Sequence, residues 1–130
     1  MRLLLASLVA LTAPLSALAD GGVTVPLPEL SDLDPGSFHV LLRSLVTSNV
    51  VSENCPGFEV TMGEFALLTG TADRIAEAMG LSIEDYDRLY YFPAFAALDK
   101  PDICARMGPR VAQDIEMLVA LGGGTEPLPD

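Results

Sequence analysis

Two cysteines behind an export leader limit what this chain can become more than any other feature. Arg2 gives the leader a positive start, Leu3 to Leu18 an apolar stretch interrupted by Pro14, and Ala17-Leu18-Ala19 a small-x-small cleavage site. The pattern reads as a Sec-type signal peptide over residues 1–19, cut after Ala19, and not as a membrane anchor. The expected location is periplasmic or secreted, where disulfides form and persist. Cys55 and Cys104 are the only cysteines, so a single intramolecular bridge is possible. It would close a loop of about 50 residues, contributing about 4 kcal/mol in the chain-entropy model. That is comparable to the net stability of a small domain. The competing readings are a redox pair, usually spaced Cys-x-x-Cys, and a zinc site, for which His39 is the only histidine.

Residues 20–130 amount to one domain with a modest core, for which a covalent staple is useful. The formal net charge is −11, and removal of Arg2 with the leader takes it to −12. The acids are spread along the chain, not gathered in one run. Such a surface repels nucleic acid and anionic lipid, which argues against both as partners. It attracts basic proteins, cationic ligands and divalent cations, although its simplest role is solubility. No apolar run after the leader is long enough to span a bilayer.

The mature chain reads as helical. Residues 20–36 carry Gly21, Gly22, Pro26, Pro28 and Pro35 and form an extended, loosely held N-terminal arm. Asp34 or Ser37 caps a first helix over about 38–53, whose apolar side is Phe38, Leu41, Leu42, Leu45, Val46 and Val50. Thr61-Met62-Gly63-Glu64 is a capping box opening a second helix to about Met79, with Gly80 as its stop. Ser82 opens a third, in which Glu84, Asp85 and Asp87 lie at the positive end of the dipole. Pro93 should break or kink it, with a short resumption over 94–98. Asp102 should cap a fourth helix bearing Ile103, Met107, Val111, Ile115 and Leu118, bent or split at Gly108-Pro109. Gly122-Gly123-Gly124 ends it, leaving residues 123–130 as a flexible tail. The expected organisation is therefore signal peptide 1–19, arm 20–36, helical domain 37–122 and tail 123–130.

Chemistry is sparse. Glu84, Asp85 and Asp87 do not converge like a calcium loop, and Asp32 and Asp34 open an EF-hand pattern whose Gly and distal Glu are missing. His39 has no cysteine or serine arrangement beside it that would make it a general base. Ser37, Ser44 and Ser48 lack a nucleophile-elbow context. The triple glycine follows a helix and lacks the Lys of a phosphate loop. No catalytic residue, metal or cofactor is therefore assigned. The best binding candidates are Tyr86, Tyr90, Tyr91 and Phe95 around the Pro93 kink, where a groove for a peptide or apolar ligand can open. The bland alternative places Phe92, Phe95 and one tyrosine in the core, with Tyr91 the most exposed ring.

Asn54-Cys55-Pro56, Ala78-Met79-Gly80-Leu81-Ser82 and Pro101-Asp102-Ile103-Cys104-Ala105-Arg106-Met107-Gly108 together resemble a family of small secreted alphaproteobacterial proteins known as a domain of unknown function. The resemblance covers roughly residues 38–121. It implies architecture and no activity, and Pro93 and Pro109 depart from its pattern. In plan alone the chain is also similar to HdeA-type periplasmic acid-stress chaperones, which are small, exported, helical and closed by one disulfide. That similarity implies that acid loosens the fold and exposes apolar surface to unfolding clients. The sequence thus points to an all-α bundle of four to five short helices, stapled by Cys55–Cys104. The expected function is non-enzymatic binding of another periplasmic protein or a small apolar ligand. An acid-activated chaperone is the alternative, and an unrecognised enzyme the second.

Overall fold

The computed structural model describes residues 22–130, so the leader and its cleavage site lie outside the described residues. The described chain is all-helical, with no strand. It comprises α1 (Phe38–Asn54), α2 (Met62–Ala78), α3 (Ile83–Tyr86), α4 (Phe92–Ala97) and α5 (Ile103–Ala120), with two short 3₁₀ turns ahead of α1. A π-helical turn, Asp87–Tyr91, joins α3 to α4, so residues 83–97 form one continuous helical rod.

Four rods pack with α1 at the centre. Its positions 42, 45, 46, 49 and 50 recur at helical spacing, and all are buried, as are Val51 and Ser52. Leu67, Leu68, Ala72 and Ile75 of α2 and Val111, Ile115 and Leu118 of α5 close on it from two sides. Cys55, buried just past the end of α1, is joined by a disulfide to Cys104 in the first turn of α5, with 5.4 Å between the Cα atoms.

A carboxylate adds a polar fastening between the same helices. Asp114 of α5 is 7% exposed. It accepts hydrogen bonds from Ser44 (3.1 and 2.8 Å) and Ser48 (2.6 Å) of α1. Buried carboxylates require such donors, because an unpaired charge in the interior is costly.

The helix ends follow local rules. Thr61 Oγ1 accepts from the Glu64 amide while the Glu64 carboxylate accepts from the Thr61 amide, completing the capping box. Gly80 at φ +69° ends α2 and Gly122 at φ +98° ends α5. In both, the next amide reaches back to a carbonyl in the last turn, Leu81 to Ala76 and Gly123 to Leu118. This is the Schellman arrangement, whose positive φ favours glycine.

Several expectations are corrected. Pro93 does not break its helix. The wider π turn before it, closed by the Phe92 amide on the Asp87 carbonyl, changes the local register and carries the proline within a continuous rod. Nor does Pro109 split α5, which runs unbroken through it. Pro109 and Ala105 both face solvent, so the carbonyl deprived of its partner is open to water. Gly108 is buried against Phe58, whose ring occupies the space of a side chain. Asp102 makes no capping hydrogen bond and instead pairs with Arg106 at 3.7 Å.

The arm and tail are not loose. Val25, Pro28 and Leu33 are buried. The Gly124 amide donates to the Pro26 carbonyl (2.9 Å) and the Leu128 amide to the Thr24 carbonyl (2.7 Å). Apolar burial of the arm and these cross-chain bonds outweigh the Pro/Gly-rich composition that suggested mobility. No helix among the described residues is long and apolar enough to cross a membrane.

Candidate binding groove

The arm and α2 do not close completely, and an open groove of about 940 Å³ lies between them. Its floor is one stripe of α2. Met62, Phe65, Ala66, Thr69, Gly70 and Asp73 follow one another at helical spacing. From Met62 to Asp73 the stripe is about 16 Å long at 1.5 Å rise per residue. Val23 and Thr24 of the arm form one wall, and Glu59, Val60 and Thr61 of the loop after the disulfide form another. Gly70 is where the arm comes closest, because a Cβ there would press on Leu27 at 3.1 Å.

The end near Asp73 is polar. Asn49 and Glu53, one turn apart on α1, meet Asp73 of α2 and Tyr91 of the π turn. Asn49 Nδ2 donates to Tyr91 Oη at 3.1 Å, and Tyr86 Oη donates to Asp73 Oδ1 at 3.2 Å. The Tyr86 and Tyr91 rings pack edge to face with centroids 5.2 Å apart, linking the two pairs. Asn49 is only 5% exposed, yet its Oδ1 has no hydrogen-bond partner. Buried amide oxygens are rarely left so.

The electrostatics of this end have one sign. Glu53, Glu59 and Asp73 line the groove, and among the described residues no Lys or Arg does. Desolvation raises the Asp73 pKa above the usual carboxylate range, with the Tyr86 hydrogen bond acting the other way. Burial also pushes the Tyr86 phenol far up, helped by repulsion from Tyr91 and Asp73. Tyr91 is raised by burial, against the hydrogen bond from Asn49. Both phenols therefore stay protonated and serve as aromatic faces and hydrogen-bonding groups, not as bases.

The candidates proposed from sequence separate into three environments. Tyr91 and Tyr86 are half-buried, Tyr91 lining the groove and Tyr86 behind it. Tyr90 is 3% exposed and belongs to the core, so it offers no binding surface. Its Oη lies 2.7 Å from His39 Nδ1, while Arg43 lies 3.1 Å from His39 Nε2. The arginine can only donate, so Nε2 accepts and the neutral ring donates from Nδ1 to Tyr90. Phe95 lies outside the groove, 49% exposed, beside Phe92 at 64%. Neither phenylalanine is core, and the turn spacing that raises them also aligns them with exposed Leu89. Asn49, Glu53 and Asp73 were not singled out from sequence, and Phe65, read as part of the apolar face of the second helix, lines the groove. The signal for Asn49 was present: it continues the apolar spacing of Leu42, Leu45 and Val46, where a polar residue needs a reason. Among the described residues no group of three or more His, Cys, Asp or Glu side chains is placed to hold a metal ion.

No protein-family model, curated protein or solved structure matches the chain.

Proposed function

We propose that this chain is an exported, non-enzymatic binding protein that holds a small amphipathic ligand in the groove between its arm and α2. The observation that carries the reading is the groove itself: an apolar floor that ends at a buried amide with an unpartnered oxygen. Binding sites for small molecules combine these elements, apolar lining with a few placed polar groups. The leader pattern and the disulfide support export. The groove also brings Glu53 and Asp73 together with Tyr91, the carboxylate and tyrosine pairing that the enzyme alternative requires. Native mass spectrometry of the protein isolated from its own periplasm tests the reading. A small co-purifying mass, released on denaturation and lost when Thr69→Trp fills the groove floor, is the expected result. A bare protein mass from every preparation overturns it.

The exposed stripe Leu89, Phe92 and Phe95 favours a second reading, docking of another periplasmic protein on the 83–97 rod. Cross-linked capture that yields one stoichiometric protein from the wild type, and none from Phe92→Ser, supports it. Unchanged capture by that variant rejects it.

A further inference from the structure

We infer that the groove selects a primary-amine amphiphile, its ammonium group held at the Asn49, Glu53, Asp73 and Tyr91 end and its apolar tail laid along α2 toward Met62. This deepens the proposed function and rests on the groove being a binding site.

Three independent features converge. The first is charge: among the described residues the groove is lined by three carboxylates and no cation. Glu59 lies on the loop wall, and Glu53 and Asp73 lie at the polar end. The second is the amide. Asn49 lines the groove and its buried Oδ1 is unpartnered, so a donor that reaches it satisfies it. An ammonium group has three donors and no acceptor. Carboxylates and an amide oxygen satisfy it, and the Tyr91 ring adds a cation–π surface. An anionic head finds repulsion here, and a neutral head leaves the two carboxylates unneutralised. The third is shape. The α2 stripe offers about 16 Å of mostly apolar floor at helical rise, enough for a medium-length alkyl chain.

Decylammonium, 1-decanol and decanoate are the probes, titrated into the purified full chain by calorimetry at pH 7, below their aggregation concentrations. Decylammonium should bind at least tenfold more tightly than decanol, with decanoate weakest. Glu53→Gln and Asp73→Asn should each weaken decylammonium several-fold and leave decanol unchanged. Glu116→Gln, outside this groove, should change neither, which separates the site from general attraction to an acidic protein. NMR adds a direct readout, because the side-chain amides of the chain are only Asn49, Asn54 and Gln113. The Asn49 amide signals should move with decylammonium and the other two stay. Equal binding of decanol and decylammonium, both lost in Thr69→Trp, would overturn the amine selectivity while keeping the groove. No binding of any probe, with no Asn49 shift, would overturn both.

Discussion

Removing the disulfide tests the architecture most directly. The double variant Cys55→Ser/Cys104→Ser deletes the bridge without leaving a free thiol. The two cysteines are 49 residues apart, and closing such a loop removes about 4 kcal/mol of unfolded-state entropy. Unfolding entropy near 2.1 cal/mol/K per residue over roughly 110 residues converts this to a Tm loss of about 15–20 °C. Noncovalent contacts at the same place offset little: Phe58 against Gly108 is the main one, and it is only partly buried. The assay is thermal unfolding by circular dichroism, comparing the oxidised wild type, the wild type under strong reductant and the double variant. Far-ultraviolet spectra at low temperature establish that the helices persist. Reduced wild type and double variant should melt together, well below the oxidised protein. A drop smaller than about 3 °C, with the oxidised bond verified by mass, would refute the reasoning. It would mean that the 55–104 loop is already restricted in the unfolded chain, or that the staple strains the native one.

Asp114→Ala leaves the Ser44 and Ser48 hydroxyls without their acceptor and should cost about 2–4 kcal/mol in urea denaturation, whereas a loss below about 0.5 kcal/mol would show that water replaces the carboxylate. Thr71 is fully buried and its Oγ1 is unpartnered, so Thr71→Val should raise stability by about 1 kcal/mol. A fall in the urea midpoint would indicate that the hydroxyl has a partner in solution. The folded pKa of Asp73 is raised above its unfolded value, so its ionisation opposes folding above the folded pKa, and the penalty fades as pH falls through that value. Asp73→Asn should therefore be more stable than wild type at pH 7 and equal to it near pH 3, measured by melting across pH. The opposite order, a variant gaining only in acid, would contradict the sign of the shift. Wild-type Asp73 thus works against acid-triggered loosening, the mechanism that the chaperone alternative needs.

Local signals in this sequence were readable because they depend on a few adjacent residues. The capping box at Thr61 and Glu64 and the glycine stops at Gly80 and Gly122 are determined within one turn, by hydrogen-bond geometry and the absence of a Cβ. Apolar spacing exposed the inner faces of α1, α2 and α5 for the same reason. What was not readable depends on distant partners. Pro109 is tolerated because its side of α5 faces water, which no property of Gly108-Pro109 reveals. Tyr90 enters the core and Phe92 stays outside because the π turn changes the register by one residue, shifting every face that follows. The groove unites residues from 22 to 91 in the chain, and its polar end depends on which α1 position meets the π turn. Asn49 was missed, although a polar side chain at an apolar position signals either a core hydrogen bond or a site.

The bond from the Leu128 amide to the Thr24 carbonyl has a temporal meaning. Residues so distant in sequence meet only after nearly all of the described chain has been synthesised, and closing so long a loop is slow relative to forming any single helix. The groove wall that the arm forms is therefore among the last features of the described chain to be set. Such an order suits the export reading: individual helices can flicker early, and the groove between the arm and α2 is completed late.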